Sequence, residues 1–159
     1  MNIKVLAVGS IKERYLKEGI QEYVKRLGPY ARMEIIEVPD EKAPEQASAA
    51  EEEQIKAREA AKLQKHIKPG SLVVALAIEG KSFSSEELSR QLQQWALKGQ
   101  SEVAFVIGGS LGLHRDILAQ ADLKLSFSRM TFPHQLMRLV LVEQLYRCFK
   151  IWRGEPYHK

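Results

Sequence analysis

Residues 105–113 read FVIGGSLGL: Phe105, Val106 and Ile107 close an apolar run that begins at Val103, and Gly108, Gly109 and Gly112 then crowd around Ser110. A short apolar run closed by glycines reads as a buried strand running into a tight turn. The turn leads into a short helix from about His114 to Gln120. A strand without polar alternation is covered on both faces, as in a parallel sheet. The glycines carry two chemical readings. Gly108-Gly109-Ser110-Leu111-Gly112 matches the G-x-S-x-G nucleophile elbow, with Asp116, Asp122, His134 and His158 downstream as partners for Ser110. Alternatively, the absence of Cβ atoms makes the loop a pocket floor or a tight strand-to-helix turn. A dinucleotide fingerprint is excluded: the spacing is G-G-x-x-G, it follows the fourth strand, and no acidic residue closes a following strand to hold a ribose.

Working outward, the same alternation recurs along the whole chain. Ile3 to Val8 is a strand, Tyr15 to Leu27 is apolar at helical spacing, and Met33 to Val38 is a second strand. Residues 44–66 are rich in Ala, Glu, Gln and Lys and predict a solvated helix. Leu72 to Ile78 is a third strand, and Ser84 with Glu87 is a capping box opening a helix through Leu97. Leu123 to Phe127 is a fifth strand, and Pro133 suits the first turn of a last helix reaching about Trp152. The expected fold is α/β: a mostly parallel sheet with helices on both faces, in a single domain over 1–159. Ligands of such sheets bind beyond the carboxyl ends of strands, so the loops after Ile78, Ile107 and Phe127 are the candidate site.

With 159 residues, 24 basic against 20 acidic side chains and a net charge of +4, the chain suits one core and a polyanionic partner. One cysteine, Cys148, excludes an internal disulfide and fits a reducing cytoplasm. No cysteine-based metal framework is present, and the first apolar run is too short for a signal peptide or membrane span. A soluble, cytoplasmic protein is expected.

The last helix, PHQLMRLVLVEQLYRCFKIW, carries apolar residues around nearly its whole circumference, so one face is expected on the sheet and another under a second chain. Glu143 and Arg147 read as a surface pair, and His134 and Arg138 share a face near the expected crevice. In the tail, Tyr157, His158 and Lys159 are groups that stack on a base, move a proton and hold a phosphate.

Taken together, IKVLAVG, VVALAIEGK, FVIGGSLGL, LSFSRMTFPHQLMRLVLVEQLYR and the terminal PYHK resemble the RlmH family, the small SPOUT-class methyltransferases also called YbeA-like. The likeness spans the chain. It implies a C-terminal trefoil knot, an exception to the rule against knotted chains, with S-adenosylmethionine bound in a bent form in the knot. By position, Leu76 and Gly108 would contact the cofactor, and Phe127, Ser128, Arg129, Met130, Thr131 and Phe132 would wrap its adenine. The family methylates nitrogen 3 of pseudouridine 1915 in 23S ribosomal RNA on the assembled ribosome, releases S-adenosylhomocysteine, and works as a homodimer whose tails complete the partner's site. No metal is implied. On this reading Tyr157, His158 and Arg138 are the catalytic candidates, and Arg138, Tyr157, His158 and Lys159 the substrate-binding ones. The rival classes are a serine hydrolase using Ser110 and a non-catalytic ribosome-binding factor.

Overall fold

The computed structural model describes residues 1–159. In chain order the elements are β1 (Asn2–Val8), α1 (Arg14–Leu27), β2 (Arg32–Val38), α2 (Ala49–Gln64), β3 (Leu72–Ser82), α3 (Ser85–Leu97), β4 (Glu102–Ile107), α4 (Arg115–Gln120), β5 (Leu123–Ser126) and α5 (His134–Arg153). All pairings are parallel, and the strands lie in the order β2-β1-β4-β3-β5. The expected α/β class and strand–helix alternation are those observed.

Alternation along the strands divides the apolar residues between two layers. Ile3, Val5, Phe105 and Val74 face α1, α3 and α5, where they pack with Leu27, Leu92, Leu141, Leu145 and Phe149. Leu6, Val8, Val73, Ala104 and Val106 face α2 and α4, against Ala60, Leu63 and Ile117. Each such fully buried aliphatic side chain stabilises the fold by about 1.5–3 kcal/mol relative to exposure. Helix starts follow local chemistry: Ser48 with Glu51 and Ser84 with Glu87 each form a complete capping box, and α5 ends on Gly154 at φ 65°.

Two expectations change. The helix read as solvated, α2, buries Ile55, Glu59, Ala60 and Leu63. The third strand runs beyond Ile78 to Ser82, with a break in register between Leu76 and Lys81. Within the chain α5 buries Leu141, Val142, Leu145, Tyr146, Cys148 and Phe149, while Leu136, Met137, Leu139, Val140, Ile151 and Trp152 stay partly exposed. The sheet lies beneath it, Leu16 and Ile20 of α1 pack on Val142, and on the other side Ser89 of α3 donates to the Cys148 carbonyl at 2.7 Å. Burial also pushes the Cys148 thiol up to about 12, so it is an inert core group.

Candidate functional site

Parallel strands end at one edge of the sheet, and there the chain forms a cleft of about 920 Å³, lined by Leu76, Ile107 and Leu125 from the strand ends and by the loops that follow them. That volume lies within the range of small-molecule sites. One wall is made where β3 leaves the ladder. Leu76 pairs with Leu125, Lys81 pairs with it again, and the residues between loop out. Gly80 permits this, because a Cβ there would lie 2.7 Å from the Lys124 carbonyl carbon and oxygen. The only sequence sign of this glycine is its place at the end of an apolar run.

The glycine loop forms the floor. Gly109 and Gly112 pair as an isolated antiparallel bridge, Gly112 donates to the Gly109 carbonyl at 3.0 Å, and Gly112 sits at φ +85°. A Cβ on Gly108 would stand 2.6 Å from the Gly112 carbonyl carbon, 2.7 Å from its oxygen and 2.9 Å from Leu113 N. Gly108 is thus required by the closure of its own loop, before any ligand arrives.

Phe127, Ser128, Met130, Thr131 and Phe132 line the opposite wall, while Arg129 does not. Ser128 shapes this turn, its hydroxyl accepting from Met130 N at 2.9 Å and its carbonyl accepting from the Ser126 hydroxyl at 3.1 Å. Glu53, Lys56 and Arg115 border the cleft on the α2 and α4 side, with Lys56 paired to Glu53 at 2.7 Å. Ser110 also lines the cleft, and so does His134, but the other partners read for a hydrolase lie elsewhere. Asp122 accepts from Val73 N, Asp116 sits beside the buried His114 that caps α4, and His158 meets Glu86.

Arg138 is corrected by the structure. Its side chain is 1% exposed, with Nη1 on Glu37 at 2.5 Å and Nη2 donating to the Gly9 carbonyl at 3.1 Å. It ties α5 to the ends of β1 and β2 and does not line the cleft. His134, one turn earlier, does line the cleft, and burial, with Arg138 beside it, holds its imidazole below the usual histidine range.

Tyr157 and His158 are brought together, away from the cleft. The Tyr157 hydroxyl donates to Glu143 Oε1 at 3.0 Å, its ring stands edge-on to Tyr146 with centroids 4.8 Å apart, and the Arg147 guanidinium lies 4.7 Å from its centroid. Burial, then the Tyr23 and Glu143 contacts, push the Tyr157 phenol up, so it stays a donor. His158 bridges Arg147 and Glu86 at 3.1 and 2.5 Å. Glu143 and Arg147, read as a surface pair, are half-buried members of this cluster; the i,i+4 spacing showed the pair but not the tail folding onto it. Lys159 is exposed beside them.

A family described as "Predicted SPOUT methyltransferase" matches residues 1–158. A full-length relative, "Ribosomal RNA large subunit methyltransferase H" of Carboxydothermus hydrogenoformans, is 59% identical over 159 residues, covering all of both chains. The chain belongs to the RlmH family of SPOUT methyltransferases. Among solved structures, a probable methylase family protein from Haemophilus influenzae Rd KW20 shares the fold, at a TM-score of 0.56 and 12% identity over 99% of this chain and 70% of that one. Membership in the family implies the trefoil knot. The G-x-S-x-G match at Ser110 is then coincidental, a three-residue pattern produced by a loop that needs glycine for its own closure.

Proposed function

We propose that this SPOUT methyltransferase transfers a methyl group from S-adenosylmethionine to nitrogen 3 of pseudouridine 1915 in 23S ribosomal RNA, on the assembled ribosome and as a homodimer. The relative that is 59% identical end to end, named as a large-subunit ribosomal RNA methyltransferase, carries the substrate class. The cleft's composition suits the cofactor: apolar walls at Leu76, Leu125 and Phe127 for the adenine, main-chain groups of the 127–132 turn at its edge, and charged Glu53, Lys56 and Arg115 for a zwitterionic end.

The bound cofactor supplies an activated methyl group, which leaves chain residues to align the base and manage its proton. Nitrogen 3 carries a hydrogen that has to leave if its electron pair is to form the new bond. His158 accepts that proton. Tyr157 packs on or hydrogen-bonds the base, and Lys159 meets backbone phosphate. Arg147 takes the role first assigned to Arg138, since it stands beside both tail residues and is accessible. Within one chain the tail lies on α3 and α5 and no tail residue lines the cleft, which favours a site completed by a second copy.

Two measurements test this. Calorimetric titration with S-adenosylmethionine should give saturable binding, and labelled methyl should then pass to ribosomes lacking the modification. Binding without transfer would make the chain a ribosome-binding factor. No binding, with Ser110 labelled by a fluorophosphonate, would make it a hydrolase.

A further inference from the structure

His158 is held from two sides by groups on different helices. Arg147 Nη1 of α5 lies 3.1 Å from His158 Nδ1, and Glu86 Oε1 of α3 lies 2.5 Å from His158 Nε2. A guanidinium has only hydrogens to offer, so Nδ1 must be the acceptor of that contact. The single proton of a neutral imidazole then sits on Nε2, facing the Glu86 carboxylate. The other charged or titratable groups at this cluster are Glu143, which accepts from Arg147 Nε and Nη2 at 3.1 and 2.7 Å, and Tyr157. Arg147 is therefore anchored to Glu143 by two nitrogens, and the third, Nη1, can leave His158 without dismantling the pair.

Beyond adding a favourable charge to the first turn of α3, Glu86 is not needed for the helix cap. The α3 capping box is made by Ser84 and Glu87, and the Glu86 side chain is 48% exposed. Its carboxylate does sit below the usual range, through its own backbone hydrogen bond first and His158 second.

We propose that Glu86 is a positioning residue that fixes His158 in the Nε2-protonated tautomer, leaving Nδ1 as the atom that takes the proton from the substrate nitrogen. The substrate displaces Arg147 Nη1 from Nδ1. The N3–H bond then breaks, its electron pair stays on nitrogen, the proton bonds to Nδ1, and the imidazolium formed is stabilised by Glu86. This carboxylate–imidazole order parallels the orienting acid of hydrolytic triads. It rests on the reading of His158 as the proton acceptor.

The test uses the full-length protein and five variants. Two-bond nitrogen–proton NMR of labelled histidines, with His158→Gln assigning the His158 signals, reads the tautomer directly. Because Arg147 also holds the Nε2-protonated form in the resting protein, the tautomer is read without it: Arg147→Met should keep Nε2–H, and Arg147→Met with Glu86→Leu should give a mixture. Glu86→Leu alone should lower kcat on ribosomes at least about tenfold, within the range a general base contributes, with KM for ribosomes within twofold. Glu86→Gln keeps a carbonyl acceptor for Nε2–H and should retain the tautomer and most of kcat. The Ser84–Glu87 box is untouched in both, and far-ultraviolet circular dichroism checks folding. The same tautomer in the double variant as in Arg147→Met, or wild-type kcat in Glu86→Leu, overturns the proposal. Full activity in His158→Gln would instead overturn the reading of His158 on which it rests.

Discussion

At the scale of single residues, the glycine loop illustrates how a missing side chain is used. Gly108→Ala places a methyl group against the Gly112 carbonyl and the Leu113 amide, backbone atoms that cannot rotate away. The loop must open. Titration should show S-adenosylmethionine affinity at least about tenfold weaker, whereas Ser110→Ala should bind within twofold of wild type. The glycines were legible as a site because they end an apolar run, but their reason was not, since the atoms they avoid belong to the loop's own return. Glu59 was illegible for the same kind of reason. Its place in a charged segment says solvent, yet the folded chain buries it under Gly109, where it accepts from Glu41 N at 3.1 Å. Burial, more than any neighbour, raises its carboxyl above the usual range. The folded chain therefore holds this proton to higher pH than the unfolded chain, and stability falls as pH rises from the ordinary carboxylate value through the raised one. Glu59→Gln keeps the acceptor and removes the titration. Its melting temperature should gain on that of wild type as pH is raised from about 4 to 7.

Among the elements, α5 is the one whose reading changed most. Its apolar circumference was legible, but α1 and α3 supply cover that the sequence did not name, and Leu136, Met137, Leu139, Val140, Ile151 and Trp152 remain partly exposed. Sequence periodicity counts apolar faces; it does not say which neighbour fills them. Arg138 shows the same limit, because its face was right and its depth was hidden. Replacing it by leucine leaves the Gly9 carbonyl without its donor and Glu37 without its cation, although Glu37 keeps some solvent and still accepts from Ile11 N. Arg138→Leu should cost about 2 kcal/mol, read as a melting temperature lower by about 4–8 °C. At a temperature where it stays folded, its kcat should be near that of wild type. A substrate-binding arginine would behave in the opposite way.

On the scale of the whole molecule, the cleft and the tail lie apart in one chain, so their cooperation is a question of subunits. A Gly108→Val chain has a damaged cleft and an intact tail, and a His158→Gln chain the reverse. Each should be inactive alone. After unfolding and refolding together, random pairing in a two-fold dimer should restore about a quarter of wild-type activity, because half the dimers are mixed and each holds one sound site of two. Absence of recovery would place both parts of the site in the same chain. The strand and helix order was readable throughout because each element carries its own local signal. The position of the tail was not, because it folds onto α3 and α5 through Glu86, Glu143 and Arg147, and no local pattern announces those contacts.

The place of β3, β4 and β5 around the cleft also bears on synthesis. The sheet's other end, where β1 pairs with β2, is made from the first 38 residues, whereas the cleft's walls are drawn from Glu53 to Met137. A nascent chain that has not yet delivered β5 has β3 as an open edge and lacks the 125–134 wall of the cleft. Ligand affinity is consequently a late property of the growing polypeptide. In refolding it should arise after most helical signal has returned, making cofactor capture a marker for the last event of assembly.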